Sequence, residues 1–179
     1  MRHTRICERL IVRPRPGAGG RRGVLLAGAL RLPVALGANG LSHRPREGDE
    51  ATPVADMALL AALYRPDRVR RPQTALPVKP IRPDDGWCDA PFHPRYNRPV
   101  ALPFAASHER LWRDDRLYDL VVVPDFNIHP REQGRGSAIF LHVAEADFSP
   151  TAGCIALKKG DLERLLARCG PGTRLLVAP

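Results

Sequence analysis

The segment Gly134–Leu157, GRGSAIFLHVAEADFSPTAGCIAL, decides how the rest of the chain is interpreted. Residues 138–141 form an apolar, strand-like run that ends on His142, and a polar loop follows. Gly153 and Cys154 then precede a second short apolar run. Two strands joined by a loop of this length can pair or lie side by side. We therefore expect the imidazole and the thiol to come within reach of each other.

A thiol beside an imidazole forms the smallest Cys-His nucleophilic site. Gly153 provides a flexible backbone and an N–H group directly before the thiol, which suits a tight turn and an oxyanion hole. Each residue also has a structural interpretation. A lone cysteine is often a small buried hydrophobe, and a lone histidine on an apolar strand is often part of the core.

Several motifs resemble the L,D-transpeptidase catalytic domain of peptidoglycan cross-linking enzymes. That family has a strand ending in His, and then a Ser/Thr-x-Gly-Cys turn followed by an apolar residue. The matching residues here are 140–142, Phe-Leu-His, and 151–155, Thr-Ala-Gly-Cys-Ile. Trp-Cys-Asp at 87–89 and Tyr-Asp-Leu-Val-Val-Val at 118–123 resemble a small bacterial subgroup. The resemblance covers residues 8–179.

Three positions depart from the pattern of the family. Val143 stands where the family usually has Gly, and Ala152 stands where it usually has a second His. Ala156 occupies a position that is often Arg or Asn in the family. These departures keep open a non-catalytic peptidoglycan-binding module that has retained the fold.

The resemblance implies a mainly β (α+β) fold, a β-sandwich of mixed sheets with one or two short helices. It implies one catalytic domain over residues 8–179, after an N-terminal tail over residues 1–7. The implied activity is acyl transfer between peptidoglycan stem peptides, in cell wall biogenesis and cell shape. Cys154 would form a thioester with release of D-alanine, and His142 would be the base. If water is the acceptor, the protein is instead an L,D-carboxypeptidase or amidase.

The implied site needs no metal and no cofactor. Gly153 joins the catalytic pair because its N–H group and that of Cys154 are the expected oxyanion donors. Arg135 is expected to stabilise the thiolate or a stem carboxylate, since Ala152 carries no charge. The expected substrate-binding residues are Thr52, Asn127, Arg135, Ser137 and Thr151.

Composition fits one domain with an anionic partner. The chain has 179 residues and a net charge of +9, and all of its basic residues except three lysines are arginines. A basic protein favours polyanions, among them nucleic acid and the cell wall. The arginines are scattered with few aromatic residues among them, which argues against nucleic acid. Peptidoglycan stem peptides are the partner that the resemblance implies, and the protein is expected to be a monomer.

The cysteines give no metal signature. Cys7, Cys88, Cys154 and Cys169 contain no Cys-x-x-Cys spacing, and their disulfide state stays open. A metal site could draw on His93, His129, His142 and Cys88, but these residues lack a recognisable ligand spacing.

Location is a separate question. The sequence has no transmembrane span. The resemblance implies the periplasm or cell wall. The N-terminus is basic without a clear apolar signal-peptide core, so a cytoplasmic location remains the alternative.

Local patterns predict many short strands. They are expected at residues 9–12, 23–30, 32–36, 117–123 and 174–177. Residues 57–64 have helical propensity, but the resemblance predicts a strand. A helix is expected over residues 161–168, with Asp161 as its N-cap. Residues 65–100 are expected to be an irregular excursion, and residues 107–110 a short helical turn.

Overall fold

The computed structural model describes residues 6–179, so residues 1–5 of the expected tail lie outside the described residues. The described chain contains 14 strands and one helix. In chain order they are β1 Arg9–Pro14, β2 Arg22–Ala27, β3 Leu30–Ala35, β4 Leu41–Ser42, β5 Thr52–Pro53, β6 Asp56–Tyr64, β7 Val78–Pro80, β8 Asp85–Cys88, β9 Arg98–Ala101, β10 His108–Arg110, β11 Leu120–Pro124, β12 Leu141–Val143, β13 Ile155–Leu157, α1 Lys159–Leu166 and β14 Arg174–Val177.

Nine strands form the main sheet, in the order β11-β12-β13-β3-β2-β1-β14-β6-β7. The nine-residue strand β6 also pairs with β11, and this pairing closes the sheet on itself. Parallel pairs, such as β12 with β13, stand beside antiparallel ones, such as β2 with β3. The prediction of a mainly β fold with mixed sheets and a short helix is confirmed.

In strand β6, the local helical propensity and the pairing with neighbouring strands favour different structures. Its sequence is rich in Ala and Leu, which favour a helix. It is nevertheless a strand, because β11 lies along one edge while β14 and β7 share the other. Tertiary pairing outweighs the local preference, and the strand predicted for residues 57–64 is confirmed.

Strand β11 lies between two apolar clusters. Leu120 and Val122 pack into the larger cluster, formed by the main sheet and α1. Val121 and Val123 pack into a smaller cluster that also contains Phe140. Successive side chains of a strand point to opposite faces, so β11 is buried on both. The strand predicted for residues 117–123 is confirmed, although it begins at Leu120 and ends at Pro124.

The smaller cluster lies beside a three-stranded sheet, with order β10-β8-β9. Two predictions for this part of the chain are wrong. Residues 65–100 contain β7, β8 and the start of β9, and residues 108–110 are β10 instead of a helical turn. Strands of three or four residues among many prolines are too short to show a period of two, so the sequence does not reveal them.

The helix also differs from its prediction. It covers Lys159–Leu166, and Lys158 is the N-cap residue, with an extended ψ of 140°. Asp161 lies in the first turn and is not the cap. Cys169, which follows the helix, is buried in the larger cluster.

Candidate active site

Strands β12 and β13 place the imidazole and the thiol on the same face of the main sheet. The two strands are parallel, and His142 pairs with Ala156. Cys154 lies two residues before Ala156, directly before β13. Residues two apart in extended chain point the same way. The predicted approach of His142 and Cys154 therefore has a clear basis in the register, and both residues line one pocket.

The backbone before β12 holds the sulfur atom. The apolar run 138–141 was predicted to be strand, but β12 begins only at Leu141 and Ala138 has a φ of 50°. The Cys154 thiol donates a hydrogen bond to the Ala138 carbonyl at 3.2 Å. The Phe140 N–H donates to Sγ at 3.3 Å. The bend at Ala138 thus gives the thiol one backbone acceptor and one backbone donor.

The turn before the thiol requires glycine. Gly153 has a φ of 123°, and a Cβ atom there would lie 3.0 Å from the Ala51 carbonyl oxygen. Thr151 Oγ1 donates to the Cys154 carbonyl at 2.6 Å and accepts the Gly153 N–H at 3.2 Å. Across residues 6–179, the Cys154 N–H has no hydrogen-bond partner. Of the two expected oxyanion donors, the Cys154 N–H is therefore the one available to a substrate.

The tautomer of His142 follows from its backbone contact. Its Nδ1 atom lies 2.8 Å from the Val143 carbonyl oxygen. A carbonyl oxygen only accepts, so Nδ1 carries the proton and Nε2 of the neutral ring has a free lone pair. The ring also meets Tyr118 edge-on, with centroids 5.3 Å apart. Burial lowers the pKa of His142 to about 4, so the ring is neutral at pH 7.

The thiol is also neutral at rest. Burial raises the pKa of Cys154 to about 12, against a smaller opposite effect from the Phe140 N–H. Its hydrogen is bonded to Ala138, and no hydrogen bond joins Cys154 to His142 among the described residues. A thiol and a neutral imidazole thus face one pocket, and the thiol must turn from Ala138 toward His142 to transfer its proton.

The pocket has a volume of about 230 Å³ and also contains charged residues. Arg113 donates to Glu109 at 2.6 Å and also bonds to Asp115. Its guanidinium lies 5.0 Å from the ring centroid of Tyr118. The lining residues are Glu109, Arg113, Leu117, Tyr118, His142, Glu145, Ser149, Pro150, Thr151, Ala152, Cys154 and Ala156.

Comparison with known families decides where the chain belongs. A sequence model of the L,D-transpeptidase catalytic domain, YkuD, matches residues 22–177. The chain belongs to the L,D-transpeptidase catalytic domain family. This family acts on peptidoglycan, typically in the periplasm or cell wall. No curated protein and no solved structure matches the chain. Within residues 6–179, no helix is long and apolar enough to cross a membrane.

Two pocket residues of this L,D-transpeptidase domain, Glu109 and Arg113, were not predicted from the sequence. Glu109 falls in the helical turn predicted for residues 107–110, and no pattern in the sequence points to Arg113. The structure pairs β10 with β8, so Glu109 lies opposite Trp87. Trp87 belongs to the Trp-Cys-Asp motif of the resemblance, but no sequence spacing shows which strand pairs with that motif.

Two expected substrate-binding residues have structural contacts instead. Thr52 is fully buried, and its Oγ1 accepts the Gly37 N–H at 2.9 Å. Ser137 donates to Glu47 at 2.8 Å. Neither residue lines the pocket of Cys154, whereas Thr151 does.

Arg135 and Asn127 line a different pocket. Arg135 lies 3.6 Å from Glu132 and is partly exposed. The Asn127 side-chain amide donates to the carbonyls of Glu132 and Gly136, at 2.9 and 2.8 Å. Asn127 thus shapes its own loop. The arginine that lines the pocket of Cys154 is Arg113, paired there with Glu109 and Asp115, and not Arg135.

The residues named for a metal site are not gathered together. Within residues 6–179, no group of three or more His, Cys, Asp or Glu side chains could hold a metal ion. Among the candidates, Cys88 Sγ and His93 Nδ1 lie 3.8 Å apart. All four cysteines are free thiols.

Proposed function

We propose that this protein is a cysteine-dependent acyltransferase of peptidoglycan stem peptides. Cys154 is the nucleophile and His142 is the general base. One observation carries the proposal: the Cys154 thiol and an imidazole with a free Nε2 line the same pocket. Cys169, which is also buried, does not line the pocket that Cys154 and His142 share.

The first step forms a thioester. Sγ attacks the carbonyl carbon between the diamino acid and the terminal D-alanine, and the thiol proton passes to His142 Nε2. The Cys154 N–H stabilises the oxyanion of the tetrahedral intermediate. The carbon–nitrogen bond then breaks, and the D-alanine amine leaves with the proton from His142.

The second step resolves the thioester. An amine of a neighbouring stem attacks the thioester carbonyl and gives up a proton to His142. The carbon–sulfur bond breaks, and the proton returns to Sγ. If water attacks instead, the product is a trimmed stem and the protein is an L,D-carboxypeptidase.

The departures from the family pattern fit this chemistry. Val143 contributes its backbone carbonyl to His142, and every residue type has such a group. Ala152 and Ala156 line the pocket without charge, while Arg113 brings a guanidinium there from the segment after β10. These contacts support an enzyme over a non-catalytic binding module.

Mass spectrometry of muropeptides incubated with the pure protein tests the proposal. We expect cross-linked dimers and released D-alanine with the parent protein, and neither with Cys154→Ser. Trimmed monomers alone would assign the carboxypeptidase activity. Unchanged muropeptides with a folded parent protein would favour the binding module.

A further inference from the structure

A further cavity lies at the opposite end of β11 from the Val123 side, between the segment 68–73 and one side of α1. It has a volume of about 420 Å³. Lys159, Glu163 and Ala167 are spaced four residues apart and share one helix face. The complete lining is Arg68, Val69, Arg70, Arg71, Pro72, Gln73, Leu120, Lys159, Glu163 and Ala167. We call it the basic cavity.

The basic cavity has an excess of unpaired positive charge. Arg68 is neutralised, since it lies 3.2 Å from Asp119 and within 4.0 Å of two further carboxylates. Within the described chain, Arg70, Arg71 and Lys159 have no carboxylate in salt-bridge range. Glu163 is the one acidic residue of the lining and is unpaired there too. Three cations against one carboxylate leave an excess of two positive charges.

The segment that carries these cations is fixed at its first end. Arg65 is buried, and its guanidinium lies 3.6 Å from the ring centroid of Trp112. It also bonds to Asp67 at 2.8 and 2.9 Å. The Val69 N–H donates a hydrogen bond to the Arg65 carbonyl at 2.9 Å.

The segment is also fixed at its second end. Thr74 Oγ1 donates to the Cys169 carbonyl at 2.9 Å, and the Ala75 N–H donates to the same oxygen at 3.0 Å. Arg70 and Arg71 therefore start from a backbone held at both ends, and Pro72 stiffens it further. A backbone ordered in advance lowers the entropic cost of binding a ligand.

We infer that the basic cavity binds a phosphate ester or diphosphate group. Two guanidinium groups offer planar pairs of N–H donors that match phosphate oxygens, and Lys159 adds a third cation. A group with two or more negative charges balances the excess, whereas a single carboxylate does not. The group could belong to a soluble compound or to a lipid headgroup, since both present the same oxygens. This site does not depend on the chemistry of Cys154.

Calorimetric titration of the full chain with inorganic pyrophosphate tests the inference. The variant Arg70→Gln/Arg71→Gln removes two cations of the basic cavity. Its matched control, Arg13→Gln/Arg31→Gln, removes two exposed arginines of the main sheet. We expect at least tenfold weaker binding for the first variant and less than a twofold change for the control.

Two outcomes would overturn the inference. Equal weakening in both variants would show binding to overall charge, and absence of binding by the parent protein would remove the site. Thermal unfolding and acylation at Cys154 should be unchanged in both variants, which separates a lost site from a lost fold. Vesicles of phosphatidylcholine, prepared with and without a prenyl diphosphate, then identify the source of the group. Capture only by vesicles that contain the prenyl diphosphate, lost in Arg70→Gln/Arg71→Gln, assigns a lipid headgroup. Binding of soluble pyrophosphate without capture by either vesicle assigns a free compound.

Discussion

Two buried thiols of this protein share three local properties. Cys154 is 8% exposed and Cys169 is 1% exposed. Each donates its S–H to a backbone carbonyl at 3.2 Å, Cys154 to Ala138 and Cys169 to Leu165. Burial raises the pKa of each to about 12. By burial, hydrogen bonding and pKa, neither one is marked as a nucleophile.

The surroundings of the two thiols differ. Cys169 follows α1 and packs among leucines of the larger cluster. Cys154 belongs to the smaller cluster, where a pocket opens onto it and His142 lines the same pocket. A second donor, the Phe140 N–H, also points at its sulfur. A nearby base and access for a substrate therefore distinguish a reactive cysteine from a structural one, even when both are neutral at rest.

The largest expected effect is on covalent labelling. Carbapenems imitate the acyl-D-alanine bond and form thioesters with members of this family. We expect one adduct per protein by intact mass, lost in Cys154→Ser and retained in Cys169→Ser. The two substitutions are matched, since each replaces one buried thiol by a hydroxyl. An adduct that persists in Cys154→Ser would remove the assignment of the nucleophile.

Loss of the base should have the next largest effect. His142→Gln keeps an amide near the Val143 carbonyl but removes the proton acceptor, so acylation should slow by about 10²–10⁴-fold. The measurement is the acylation rate with a carbapenem, with the unfolding midpoint followed in parallel. A variant that remains folded and reacts at the parent rate would show that the base lies elsewhere.

The buried imidazole also predicts a pH dependence of stability. The pKa of His142 falls from 6.5 to about 4 on folding, so the unfolded chain binds more protons between these values. The contribution of His142 to the free energy of unfolding is fully present above pH 6.5. It falls by about 3 kcal/mol in total as the pH falls toward 4. Urea unfolding at several pH values should show this loss in the parent and in Cys169→Ser. In His142→Gln the same slope should be reduced, and an unchanged slope there would mean that other groups cause it.

The sequence predicted the turn and the two strands that carry the site, because both depend on residues close together in the chain. Gly153 before Cys154 indicated a tight turn, and its φ of 123° lies in the region that favours glycine. The apolar runs on either side of the polar loop indicated two adjacent strands, which are β12 and β13.

The rest of the site depends on distant pairing. Glu109 and Arg113 reach the pocket because β10 joins β8 in a small sheet, and three-residue strands leave no periodic pattern. Arg135 was chosen because its loop leads toward His142, but that loop turns into another pocket. Proximity in sequence therefore gave the wrong direction for the positive charge, since only the sheet pairing brings Arg113 to Cys154.

The smallest expected effect is on the acylation rate, and it distinguishes Arg113 from Arg135. Arg113 lowers the pKa of Cys154, whereas Glu109 raises it. Removing Arg113 takes away a cation near the developing thiolate and leaves Glu109 without its 2.6 Å partner. We expect Arg113→Ala to slow acylation of Cys154 about tenfold, equivalent to about 1.4 kcal/mol. Arg113→Lys should recover part of the rate, because Lys keeps the charge but cannot match the planar contacts with two carboxylates.

Two further variants identify how Arg113 acts. Arg135→Ala is the matched control and should react within twofold of the parent rate, since Arg135 lines a separate pocket. Glu109→Gln/Arg113→Ala should react faster than Arg113→Ala, because it removes the carboxylate that the single substitution leaves unpaired near the sulfur. Acylation rates with a carbapenem and with a tetrapeptide stem are the measurement, with folding checked by circular dichroism. If Arg135→Ala reacts slowly while Arg113→Ala reacts at the parent rate, the cation that assists Cys154 is Arg135. If the double variant reacts as slowly as Arg113→Ala, the guanidinium acts on the substrate instead of through Glu109.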